Sequence, residues 1–135
     1  MSKPIPPIHK YMSTTPHTIG VEQTIATASK VMSEHGVRHL PVLHGGRVVG
    51  MLSQRDVTLI ETLKDVDPAV VTVEDAMSSS PYVVDTDTLL TEVASTMAEH
   101  KYGSAIVVQA NRVVGVFTTV DACRVLAEVF TTRLR

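Results

Sequence analysis

The chain has 135 residues, long enough for one compact domain or two small, intimately packed halves but too short for two domains of ordinary size. Apolar residues make up 44% and charged residues 19%, a globular profile that excludes a disordered chain. The net charge is −2 and the Lys and Arg residues are scattered, which excludes a nucleic-acid binder that works by bulk phosphate neutralisation.

The chain opens on a Pro-rich lead-in, residues 1–10, with no basic-then-apolar leader, so no signal peptide is expected. No run of 18 apolar residues follows, so no membrane span is expected either. After Met12-Ser13 an extended segment is predicted at 18–21. A helix follows, with Ile25, Ala28 and Met32 on one face. Two β-branched runs, 39–43 and 48–53, are joined by His44-Gly45-Gly46-Arg47, whose Gly-Gly suits a tight hairpin. A second helix is predicted at 56–63. Residues 64–76, with Asp67-Pro68, read as a connector that is not a flexible domain linker. Beyond it the same order returns: Met77-Ser78, an extended 83–85, a helix with Leu90, Val93 and Met97 on one face, strands at 105–108 and 113–118, and a helix at 121–130.

This return is a repeat in sequence as well as in pattern. A shift of 65 positions places residues 12–59 on 77–124 without a gap, with twelve of the 48 positions identical. Among them are Met12-Ser13 with Met77-Ser78, Pro16 with Pro81, Arg47-Val48-Val49-Gly50 with Arg112-Val113-Val114-Gly115, and Asp56 with Asp121. One β-α-β-β-α unit of this length buries too little apolar surface to stand alone. The expected fold is therefore α/β (α+β), with two such repeats packing their sheets about a pseudo-two-fold axis. The expected boundaries are 11–65 and 76–131, with 66–75 as the connector.

Met-Ser-x-x-Pro at the start of each copy, the Leu40-Pro41-Val42 strand and the two Gly-x-x-[Ser/Thr]-x-x-Asp segments (50–56 and 115–121) carry a resemblance. The repeat resembles the cystathionine-β-synthase (CBS) domain, and the pair resembles a Bateman module. That resemblance implies clefts between the copies for AMP, ADP, ATP, S-adenosylmethionine or NAD as regulatory ligands, with no cofactor required. It also implies association into a homodimer. One implied cleft combines Pro16, His17, Val37 and Arg38 with Thr118 and Asp121. The other combines Pro81, Tyr82, Tyr102 and Gly103 with Ser53, Arg55 and Asp56.

Chemistry agrees with those residue types. A carboxylate at a strand-to-helix junction can accept both hydroxyl protons of a ribose cis-diol, and the free N–H groups of the helix that follows favour a phosphate. Arg55 offers a bidentate phosphate contact where the other copy has Val120, so unequal affinities are expected, with the Arg55 side favouring the more phosphorylated ligand. The same [Ser/Thr]-x-x-Asp pattern is also that of a capping box, in which these side chains only satisfy helix N–H groups. Both readings stand on the sequence. Tyr82 and Tyr102 can stack on a base or pack in the core.

No metal or catalytic site is expected. His35 and His39 are separated by Gly36 and Val37, where a helix should end, so they do not share a helix face. Cys123 has no partner to activate it and is expected to be a half-buried structural residue. A single cysteine allows no intramolecular disulfide, which fits a reducing cytoplasm. With no room for an effector domain, output is expected through contact with an unknown regulated protein. The alternative is a ligand-free, dimerising scaffold.

Overall fold

The computed structural model describes residues 4–15 and 17–133. The chain divides into two compact units: His17–Pro81, and Tyr82–Arg135 together with Met1–Pro16.

In the first unit, β2 (Ile19–Gly20) runs parallel to β3 (His39–His44), which pairs antiparallel with β4 (Arg47–Ser53), and β4 with β5 (Ser78–Ser79). Helix α1 (Ile25–His35) is capped at its start by the Thr24 hydroxyl, which accepts from the Thr27 N–H at 3.2 Å. It ends on Gly36 in the left-handed conformation (φ 62°), which glycine adopts without a Cβ clash. Ile25, Ala28 and Met32 are its buried face, as their spacing predicts. They pack with Leu40, Val42, Leu52 and Val57, the last on α2 (Gln54–Thr62).

In the second unit, β6 (Val83–Asp85) runs parallel to β7 (Ser104–Gln109), β7 pairs antiparallel with β8 (Arg112–Thr118), and β8 with β1 (Ser13–Thr14). Helices α4 (Leu90–His100) and α5 (Thr119–Arg133) complete it. Its core gathers Ile8, Val93, Met97, Ala105, Val107 and Phe117. The N-terminal stretch is fastened to this unit by Ile8 N–H to Thr88 O at 2.7 Å and Leu90 N–H to Pro6 O at 2.9 Å.

The Met-Ser strand of each repeat thus pairs with the sheet of the other copy, so the compact units are offset from the sequence repeat at 11–65 and 76–131. Glycine makes room for the exchange. A Cβ on Gly115 would stand 2.8 Å from the Ser13 carbonyl oxygen and 3.1 Å from Met12 Cγ. A Cβ on Gly50 would stand at the same 2.8 Å and 3.1 Å from Ser78 and Met77. The repeated Met-Ser and the repeated Gly are two halves of one packing contact.

The connector is part of the fold. It carries α3 (Val73–Ala76), and Val73 is fully buried in the first core. Ile25 N–H donates to Val71 O at 2.9 Å and Val73 N–H to Gln23 O at 2.8 Å. The hairpin predicted at Gly45-Gly46 is present, with both residues at positive φ. Its counterpart, Ala110-Asn111, adopts positive φ as well, without glycine. Cys123, expected half-buried, is exposed. On α5 the inward positions are its neighbour Ala122 and Val125, which pack against the core. No helix among the described residues is long and apolar enough to cross a membrane.

Candidate functional site

Each candidate carboxylate stands where a strand hands over to a helix, because β4 runs straight into α2 and β8 straight into α5. Ser53 is the N-cap of α2. Its hydroxyl accepts from Asp56 N–H at 3.1 Å, while Asp56 Oδ2 accepts from Ser53 N–H and from the Ser53 hydroxyl, each at 2.9 Å. Thr118 and Asp121 repeat the arrangement. Asp121 Oδ2 accepts from Thr118 N–H at 2.9 Å and from its hydroxyl at 3.1 Å, and Thr118 Oγ1 accepts from Asp121 N–H at 3.3 Å. The capping box is therefore formed in both copies. It occupies one carboxylate oxygen, Oδ2, and leaves the other to be accounted for separately.

The other oxygen distinguishes the copies. Asp121 Oδ1 accepts from the Ser13 hydroxyl at 2.8 Å and from Arg124 Nη1 at 3.2 Å, and the residue is only 4% exposed. Asp56 is half-buried, and its Oδ1 accepts no hydrogen bond among the described residues. Arg55, beside it at the start of α2, is exposed. Ser13 and Arg124 escaped the sequence reading. The Ser13 contact spans 108 residues and has no local signature. Arg124 was visible as a difference, because the 65-residue shift places it on Leu59.

The remaining candidates sit at the strand entrances. Val37 and Arg38 lead into β3, and Arg38 O accepts from Gln54 N–H at 2.8 Å, which ties this entrance to the first turn of α2. Tyr102 and Gly103 lead into β7, and Gly103 O accepts from Thr119 N–H at 3.2 Å at the start of α5. Beside these entrances lie two related hollows. One, of about 400 Å3, is apolar and includes Tyr102, Gly103, Met97, Phe117 and Ala122. The other, of about 370 Å3, is polar and includes Arg38, Ser29, Ser33, Gln54 and Glu61. Tyr82 is half-buried and Tyr102 is 38% exposed, with ring centroids 5.4 Å apart. Tyr102 also stacks on His100 at 5.2 Å. His17 stacks on His35 at 3.8 Å, a pairing that their separation in sequence conceals. Pro81 is half-buried just ahead of β6. Pro16 lies outside the described residues. Among the described residues no three His, Cys, Asp or Glu side chains gather as a metal ion would require.

The profile of the CBS domain matches this chain twice, over residues 8–60 and 73–128. The chain belongs to the CBS domain family, as a tandem pair. Hypoxic response protein 1 of Mycobacterium tuberculosis is 31% identical over 111 residues, spanning 82% of this chain and 78% of that protein. Among solved structures, the CBS domain pair of protein MJ0100, in complex with 5′-methylthioadenosine and S-adenosyl-L-methionine, superposes with a TM-score of 0.79. It is 25% identical and the match covers 93% of this chain and 98% of that one. The CBSX2 structure in complex with AMP shares the fold at a TM-score of 0.75, with 22% identity over 92% of this chain and 98% of that one. The two CBS copies seen here thus have the mixed α/β architecture of known CBS pairs, with one four-stranded sheet in each unit.

Proposed function

We propose that this CBS pair is a non-enzymatic regulatory module that senses an adenosine-containing ligand, drawn from AMP, ADP, ATP, NAD and S-adenosylmethionine, and reports its presence through protein–protein contact. The observation that carries the reading is the Asp56 carboxylate, held by its cap at the β4–α2 junction with Oδ1 open. An open carboxylate oxygen accepts ribose hydroxyl protons, and the α2 N-terminus with the exposed Arg55 suits a phosphate. The adenosine ligands of the MJ0100 CBS pair support the same ligand class.

Thermal unfolding with AMP, ADP, ATP, NAD or S-adenosylmethionine tests the proposal. At one hundred times its dissociation constant a ligand adds about 2.7 kcal/mol, which for a chain of this size raises Tm by roughly 10 °C. Loss of that increment in Asp56→Ala supports the reading, and no increment from any of the five at millimolar concentration refutes it.

A second reading, a ligand-free dimerising scaffold, is favoured by one observation. Val120, Leu126 and Phe130 on α5 are exposed large apolar residues, as is Leu59 on α2. Such residues suit a homodimer contact. Self-association measured by light scattering that persists while all five ligands fail to shift Tm selects the scaffold.

A further inference from the structure

The two carboxylates differ in how much acceptor capacity they retain. A carboxylate offers about four lone-pair positions over its two oxygens. Asp121 fills them with four donors: Thr118 N–H, the Thr118 hydroxyl, the Ser13 hydroxyl and Arg124 Nη1. Asp56 accepts from two, Ser53 N–H and the Ser53 hydroxyl, both on Oδ2. A ribose cis-diol needs two acceptor positions from the carboxylate that binds it. Asp56 has them in hand, whereas Asp121 has them only after losing Ser13 and Arg124.

The residues behind the difference are specific. Position 59, the equivalent of Arg124, is Leu59, which is 60% exposed and has nothing to donate. Ser78, the equivalent of Ser13, occupies the same register, opposite Met51 as Ser13 is opposite Val116. Its side chain nevertheless makes no hydrogen bond to Asp56. The backbone is therefore alike in the two copies, and the closure of Asp121 is the work of side chains. Of the closing contacts, that from Ser13 is the better placed to persist, because the Arg124 side chain is 72% exposed. The Ser13 hydroxyl sits on a strand that pairs with β8, and Asp121 is almost wholly removed from water, where exchange of one partner for another is hindered.

Resting on the ligand-sensing reading, we infer that the pair has one adenosine-binding carboxylate per chain, Asp56, and that Ser13 and Arg124 are positioning residues that hold the Asp121 side closed. The CBS repeats, similar in sequence, have diverged into a ligand-binding copy and a structural one. In the structural copy the carboxylate fastens the N-terminal strand to α5.

Isothermal titration of the full chain with each of AMP, ADP, ATP, NAD and S-adenosylmethionine tests this. The wild type takes one ligand per chain. Asp56→Ala abolishes binding and Asp121→Ala, where it folds by circular dichroism, retains it. The double variant Ser13→Ala with Arg124→Ala keeps the Thr118–Asp121 cap and so remains a test if Asp121→Ala does not fold. It gains a second equivalent that is lost again on adding Asp121→Ala. Two equivalents in the wild type overturn the inference and leave ligand sensing standing. So does one equivalent that depends on Asp121, or no gain in the double variant. No binding of any of the five overturns the sensing reading and this inference with it.

Discussion

Gly115→Ala is the substitution whose effect the structure defines most sharply. The new methyl would lie 2.8 Å from the Ser13 carbonyl oxygen and 3.1 Å from Met12 Cγ. Met12 can move, but the carbonyl belongs to a strand paired with β8 at Ser13 and Thr14. Relief therefore means pushing β1 off the sheet edge. Overpacking of this kind costs about 1–3 kcal/mol. Taking 2 kcal/mol and an unfolding entropy of about 2.1 cal/mol/K per residue, Tm falls by about 7 °C. Gly50→Ala, with the Ser78 carbonyl oxygen at the same 2.8 Å, should fall by a similar amount. Gly103→Ala is the control, because its methyl meets nothing within 4 Å and its φ is not positive. Thermal denaturation followed by circular dichroism reads all three without ligand. Gly115→Ala and Gly50→Ala midpoints within about 2 °C of wild type, or a fall in Gly103→Ala as large as theirs, would refute the reasoning that the Met-Ser strand is held by close approach to glycine.

Three further outcomes are expected. Val73→Ala removes a fully buried side chain from the connector and should cost about 2 kcal/mol in a denaturant titration, whereas a loose linker would tolerate it unchanged. Lys101→Gly relieves a left-handed C-cap (φ 60°) where α1 already has Gly36, and should raise stability by about 1 kcal/mol; a decrease would contradict the assigned conformation. Cys123 is exposed and should react with an aromatic disulfide reagent in the folded protein at a rate close to that in denaturant, while strong protection would place it in a contact.

The fold was readable because it is written twice. Apolar spacing located α1 and α4, and the Gly45-Gly46 turn located the β3–β4 hairpin, since both features are local consequences of residue type. Ala110-Asn111 was harder, as it forms the same turn by context. The exchange of Met-Ser strands was not readable, because a two-residue strand has no periodicity and its partner lies far along the chain. The burial of Val73 escaped for a different reason: Val66, Val70, Val71 and Val73 share one short stretch, and no periodicity tells the buried Val73 from the exposed Val70. At the carboxylates, sequence could pose capping against ligand binding but not decide between them. The structure recasts the choice, since the cap uses Oδ2 in both copies and only the partners of Oδ1 differ. Those partners, Ser13 and Arg124, reach Asp121 from a distant strand and from the following turn of α5.

The most direct test of the central claim is a backbone amide NMR titration of the full chain with AMP, ADP, ATP, NAD and S-adenosylmethionine, following residues 53–57 and 118–122. The account predicts that at least one of the five moves the amides of Ser53 to Val57, at the cap of α2, while those of Asp121 and Ala122 stay in place. Perturbation confined to 118–122, or no perturbation from any of the five at saturating concentration, would contradict it.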